Sequence, residues 1–195
     1  IEYQPQTVDF IRSYNPVPTP EQSAIEKAAE LINQSVKPLM LVGQGVEIAG
    51  AREELLALAE KAQIPFGQTM LGLSAAPTHH PLNMGMLGMH GNLAPNVMTN
   101  QCDLLIAVGM RFDDRVTGDL HTYAKQAKVI HFEIDPSEVG KIVKPTVAVL
   151  GDCKQTLAQV AELVQETKHQ AWIDGFKPYA EKEYNKVIDA ALNPK

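Results

Sequence analysis

Residues 103–118, DLLIAVGMRFDDRVTG, decide the fold. Leu104 to Val108 form a short, wholly apolar run closed by Gly109. A run of that length bounded by glycine reads as a strand buried on both faces of a parallel sheet. The chain then turns charged at Arg111, Asp113, Asp114 and Arg115. A buried strand that ends this way carries its charges to the carboxyl edge of the sheet, where ligands bind in open α/β folds.

Working outward, similar runs recur at Leu39–Val42, Pro65–Thr69, 128–136 and Thr146–Leu150. Between them lie stretches with helical period: 19–34, opened by a Thr19-Pro20-x-Gln22 capping box, then 51–62, 92–101 and 153–167. Leu157, Val160, Leu163 and Val164 form the inward face expected of the last. Residues 71–91 are rich in Gly, Pro, Met and His and read as a long functional loop. Residues 120–127 read as a weak helix or turn. Strands alternating with helices imply right-handed crossovers, a parallel sheet and three layers. Four strand ends, at Gly43, Gly109, Glu133 and Gly151-Asp152, then share one edge. Residues 1–18 read as a proline-bearing arm or linker, with Arg12 its only base, 19–167 as the domain, and 168–195 as a helical tail or linker. The chain starts without Met and reads as a piece of a longer polypeptide.

The 195 residues are 45% hydrophobic and 21% charged, with net charge −6. Such a chain buries a full core without staples, and its acidity gives no footprint for nucleic acid. Cys102 and Cys153 are isolated and read as buried small hydrophobes in a reducing, cytoplasmic setting. No apolar run is long enough to span a bilayer.

Several features can carry chemistry. Gly43-Gln44-Gly45 would let backbone amides approach a pyrophosphate, yet Ile48 stands where a third glycine belongs, and a tight turn explains the motif equally well. Glu133 at a strand end can hold ribose hydroxyls or be simply solvated. Asp152 is placed to cap the helix after it. His79 and His80 have no acidic or thiol partner at ligand spacing, so no metal site is expected. His90, between Gly88 and Gly91, can stack on or hydrogen-bond a ligand. Arg111, Asp113, Asp114 and Arg115 are the strongest candidates, since Arg holds phosphate or carboxylate bidentately. No Ser-His-Asp or Cys-His arrangement stands out. These readings reach a nucleotide along a sheet edge, without a reaction.

GMRFDDRVTG (109–118), LGMHG (87–91), IHFEIDP (130–136), KPLMLVGQGV (37–46) and IPFGQTMLGL (64–73), in that order, closely resemble the central domain of the acetohydroxyacid synthase (acetolactate synthase) large-subunit family. The resemblance implies a three-layer, Rossmann-like α/β domain with a parallel six-stranded sheet. It also implies a parent that uses thiamine diphosphate and Mg²⁺ to join pyruvate to a second 2-oxoacid, pyruvate or 2-oxobutyrate, in branched-chain amino acid biosynthesis. The thiamine domains flank this stretch, so it holds no catalytic residue of its own and is expected to be inactive alone. What it would bind is FAD, retained in the family without a redox part in the main reaction. By resemblance, Gly43, Gln44 and Gly45 meet the pyrophosphate or ribityl part. Thr69, Met70, Leu87, Gly88, Met89 and His90, with Gly109, Met110, Arg111, Asp113 and Val116, line the flavin. Glu133 and Ile134 flank the adenosine, with Gly151, Asp152 and Cys153 nearby. Met89 and Arg115 would face the oxoacid across a domain boundary, dividing the charge cluster between two ligands. Expected partners are the flanking domains, further copies in a homo-oligomer and a small regulatory subunit. A related carboligase, a pyruvate oxidase, or a flavin-free assembly module are the rival readings.

Overall fold

The computed structural model describes residues 17–193; the first sixteen residues of the proposed arm, Arg12 among them, lie outside it. Six strands form one all-parallel sheet: β1 (Pro38–Val42), β2 (Phe66–Gln68), β3 (Asn83–Met86), β4 (Leu104–Val108), β5 (Lys128–Glu133) and β6 (Val147–Leu150). Their spatial order is β3-β2-β1-β4-β5-β6. The order reverses between β1 and β4, which pair from Pro38↔Leu104 to Val42↔Val108. The reversal opens a crevice beyond the carboxyl ends of these two strands.

Because successive strand residues face opposite ways, each apolar run feeds two cores. Met40, Val42, Ile106, Val108, Ile130 and Phe132 meet α1 (Gln22–Gln34), α3 (Arg52–Lys61) and α6 (Cys153–Leu163). Leu39, Leu41, Leu105, Ala107 and Val129 meet α4 (Leu93–Thr99) and the residues that follow α6. The expected three layers are therefore present. Trp172 in α7 (Gln170–Asp174) and Phe176 are buried in this second core, and Trp172 Nε1 donates to the Pro38 carbonyl at 2.7 Å. The chain continues through α8 (Lys177–Glu183), a π-helical turn over Tyr184–Ile188, and α9 (Asp189–Leu192).

Three local expectations fail. The sixth strand lies inside the supposed long loop: β3 carries no β-branched residue, and its Gly85 and Met86 amides bond the Asn83 and Asn92 side chains. The first helix begins at Gln22 with Glu21 as its cap and no side-chain capping bond. Instead of coiling, Pro18 and Pro20 lie within 3.4 Å of where a Cβ on Gly151 would stand. Helix α6 stops at Leu163, which is 45% exposed, while Val164 turns inward in extended backbone. At the amino edge of the sheet, Asp103 accepts from the Val36 and Lys37 amides at 2.8 and 3.0 Å and from the Ser35 hydroxyl, tying β1 to β4.

Candidate functional site

A cleft of about 640 Å³ opens at the strand reversal. Its floor is Gly109 and Met110 after β4, its walls Gln44, Gly45, Thr69, Met70, Arg111, Asp113, Arg115, Val116, Glu133, Ile134 and the Gly151-Asp152-Cys153 turn. So the structure gathers most of the predicted residues at one place. Gly43, Leu87, Gly88, Met89 and His90 do not line it. Leu87 is buried in the second core, and His90 sits exposed in a turn closed by the Gly91 amide on the Gly88 carbonyl.

The Gly43-Gln44-Gly45 turn begins α2 (Gln44–Ile48), and its glycines answer to a neighbouring strand. Gly43 donates to the Val108 carbonyl and Gly45 to the Gly109 carbonyl, both at 2.9 Å. A Cβ on Gly43 would stand 2.3 Å from Gly109 O, and one on Gly45 2.6 Å from Gly109 Cα. The φ of Gly43, −104°, suits any residue, so glycine is required there for space. Both amides are thus spent on the β4 turn. Neither amide is free to donate to a pyrophosphate, although Gln44 and Gly45 line the cleft.

Two arginines bring positive charge to the cleft. Arg111 and Arg115 have side chains 65% and 71% exposed, and their acidic neighbours Asp113 and Asp114 approach no closer than 4.0 Å. Asp113 serves mainly as the N-cap of α5 (Asp114–Thr117), accepting from the Arg115 amide at 3.1 Å, and so sets where Arg115 leaves the backbone. The Met89 amide donates to the Arg115 carbonyl at 2.7 Å, and Arg115 Nη1 lies 3.6 Å from Met89 Sδ. The two proposed oxoacid-facing residues are therefore in contact, although only Arg115 lines the cleft. Arg111 lines it too, so the arginines share one cavity, while Asp114 of the same cluster does not line it.

Glu133 is 8% exposed, so it is not a solvated strand-end acid. Its Oε1 accepts from the Ile134 and Asp135 amides at 2.9 and 3.2 Å, and its Oε2 lies 3.5 Å from His131 Nε2. Burial alone would raise its pKa; the His131 hydrogen bond and the two amides outweigh burial and hold it below the usual carboxylate range. Asp152 caps α6 by accepting from the Lys154 amide at 2.9 Å, as expected. Cys153, beside it, is buried, and burial pushes its thiol up to about 12. His80 pairs with Glu60 at 2.9 Å, away from the cleft.

Comparison with known proteins agrees with this geometry. A family model described as the thiamine pyrophosphate enzyme, central domain, matches residues 25–160. The chain belongs to that central-domain family. Acetolactate synthase large subunits are similar to it: that of Corynebacterium glutamicum is 44% identical over 89% of this chain and 28% of its own length. That of Parasynechococcus marenigrum is 44% identical over 84% and 27%, and the isozyme 3 large subunit of Escherichia coli is 38% identical over 85% and 29%. The chain spans less than a third of the length of these relatives. Among solved structures, a protein assigned to the thiamin diphosphate-dependent enzymes, isolated from Mycobacterium smegmatis, matches 82% of this chain and 31% of its own, with TM-score 0.67 and 24% identity. That likeness bears on the fold alone. It shares the three-layer α/β arrangement of this central domain.

Sequence reasoning missed Ile48, Ala49, Leu71 and Phe132 as lining residues. Ile48 and Leu71 are among the most exposed apolar side chains of the central domain. Apolar residues left in water beside a cleft are the signal that could have marked them.

Proposed function

We propose that this chain is the FAD-binding central domain of an acetolactate synthase large subunit, whose parent condenses pyruvate with a second 2-oxoacid, pyruvate or 2-oxobutyrate, in the cytoplasm. The observation that carries the reading is the cleft at the strand reversal. Its volume lies within the ~300–1,000 Å³ of small-molecule sites, and its surfaces suit a flavin dinucleotide. Ile48, Met70, Leu71 and Ile134 offer apolar walls for flat rings, Arg111 and Arg115 offer charge for a diphosphate, and Glu133 offers an acceptor for sugar hydroxyls. FAD supplies no redox step to the condensation in this reading; it holds the strand ends and the Arg115 turn in place.

Thiamine diphosphate and Mg²⁺ belong to the domains that flank residues 19–167 in the parent, with the segment after residue 168 docked through Trp172 and Phe176 before it leads onward. Met89 and Arg115, in contact with one another, face that neighbour and its oxoacid. Further copies and a small regulatory subunit complete the assembly. The test has two arms. Titrating FAD into the chain raises its thermal midpoint. Pyruvate with thiamine diphosphate, Mg²⁺ and FAD gives no acetolactate until the flanking domains are supplied. No thermal shift at saturating FAD, or turnover by the chain alone, refutes the reading.

A further inference from the structure

His131 lies behind the cleft wall, beside Glu133, with a buried ring nitrogen that has no partner among the described residues. It stands in β5 with no exposure, two residues before Glu133 and on the same face of the strand. Its Nε2 lies 2.9 Å from the Met110 carbonyl oxygen and 3.5 Å from Glu133 Oε2. Both are acceptors, so Nε2 carries a proton. Nδ1 is buried, with no partner among the described residues. The ring meets Phe112 edge-on at 5.1 Å.

The imidazole lies between two strand ends. Its Nε2 bonds the Met110 turn after β4 and stands 3.5 Å from the terminal carboxylate of β5, and Met110 and Glu133 both line the cleft. On Glu133, Oε1 already accepts two amides. Oε2 has the His131 contact alone, and a carboxylate oxygen accepts two donors. One acceptor position on Oε2 is therefore left for the cleft.

We propose that His131 is a positioning residue that fixes the Glu133 carboxylate as an acceptor for a ribose hydroxyl of the bound nucleotide. The inference rests on the dinucleotide reading above, which already sets the adenosine beside Glu133; what it adds is the part of His131. Acids at this point of dinucleotide folds meet ribose hydroxyls; here the acid has a buried orienting partner. The other charged groups lining the cleft are Arg111, Asp113, Arg115 and Asp152.

The test uses the whole 195-residue chain, with circular dichroism to check folding. Flavin fluorescence gives affinities for FAD and for an FAD analogue whose adenosine ribose lacks both hydroxyls. Carbon-detected NMR follows the Glu133 carboxyl titration without ligand. In His131→Leu, FAD affinity falls about tenfold, the analogue's affinity stays put, and the Glu133 midpoint moves up. His131→Gln keeps an N–H donor and restores most of the loss. In a Glu133→Gln background, His131→Leu costs nothing further. If the leucine variant does not fold, His131→Met carries the same comparison. An unmoved Glu133 midpoint, equal losses for FAD and the analogue, or losses that multiply with Glu133→Gln overturn the proposal. A wild-type chain that binds no FAD overturns the dinucleotide reading and the ligand half of this inference, whereas an unmoved midpoint overturns the His131–Glu133 linkage alone.

Discussion

Replacing Gly43 by alanine separates two roles for the Gly43-Gln44-Gly45 turn. The new Cβ would stand 2.3 Å from Gly109 O, 2.4 Å from Met110 Cβ and 2.7 Å from Met110 Cα. Carbon contacts settle near 3.5–4.0 Å, so the β1 and β4 turns must part by roughly 1 Å. Two of the three atoms are backbone, so no rotamer change relieves the clash. The Gly43–Val108 and Gly45–Gly109 hydrogen bonds, both 2.9 Å, then stretch past useful length. Losing them costs ~1 kcal/mol each, and the forced separation adds ~1–3 kcal/mol. Together the loss is about 4 kcal/mol, or roughly 8–16 °C in thermal midpoint for a domain of this size. Gly50→Ala is the control: its φ of +60° strains a side chain, yet nothing lies within 4 Å, so ~1 kcal/mol is expected. Thermal and urea unfolding without FAD is the assay. If Gly43→Ala unfolds like wild type and loses only FAD binding, the glycine serves the ligand and the reasoning fails.

Three further outcomes follow from the packing and the buried groups. Trp172→Ala removes a buried indole and its bond to the Pro38 carbonyl, so urea unfolding should show a loss of ~3–5 kcal/mol; a loss under ~1 kcal/mol would detach the segment after α6 from the domain. Glu133 has a folded pKa below its unfolded value, so its stabilisation is full above the unfolded value and fades as pH falls through the folded one. The urea midpoint of wild type over Glu133→Gln should therefore narrow below about pH 4.5, and a gap that widens there contradicts the sign. Burial pushes the Cys102 and Cys153 thiols up to about 12, so neither should react with iodoacetamide at pH 8 until urea unfolds the chain. Labelling of the native protein at the rate of a free thiol would refute that.

How far the sequence could be read depended on whether each signal was local. Leu104–Val108 announced β4 because a strand buried on both faces needs apolar residues throughout, and its glycine and charges marked the edge it reached. β3, with Asn-Met-Gly-Met, carried no such mark. It is a strand because β2 pairs with it, and because side chains from Asn83 and Asn92 satisfy amides at its outer edge. The Thr19 capping box was chemically sound, yet tertiary contact of Pro18 and Pro20 with the Gly151 turn draws that segment off the helix. Neither partner is near in sequence.

The same distinction divides the site. The strand ends at Gly109, Glu133 and Gly151-Asp152 were legible from the buried runs before them and line the cleft, whereas Met110 and Cys153 came only through the family resemblance. The 87–90 loop could be placed only by knowing what it touches, namely Asn96 and the Arg115 carbonyl, and these hold it beside the cleft and not in it. Gly43 and His131 mislead in opposite ways. The glycine looks like a ligand contact and is consumed by a neighbouring strand. The histidine looks like one more core residue on a buried strand, and its ring nitrogen reaches two residues that line the cleft. The glycine's case has a plain physical origin: a hydrogen-bonding group is assigned by its partner, and in a parallel sheet that partner sits on the adjacent strand, far away along the chain.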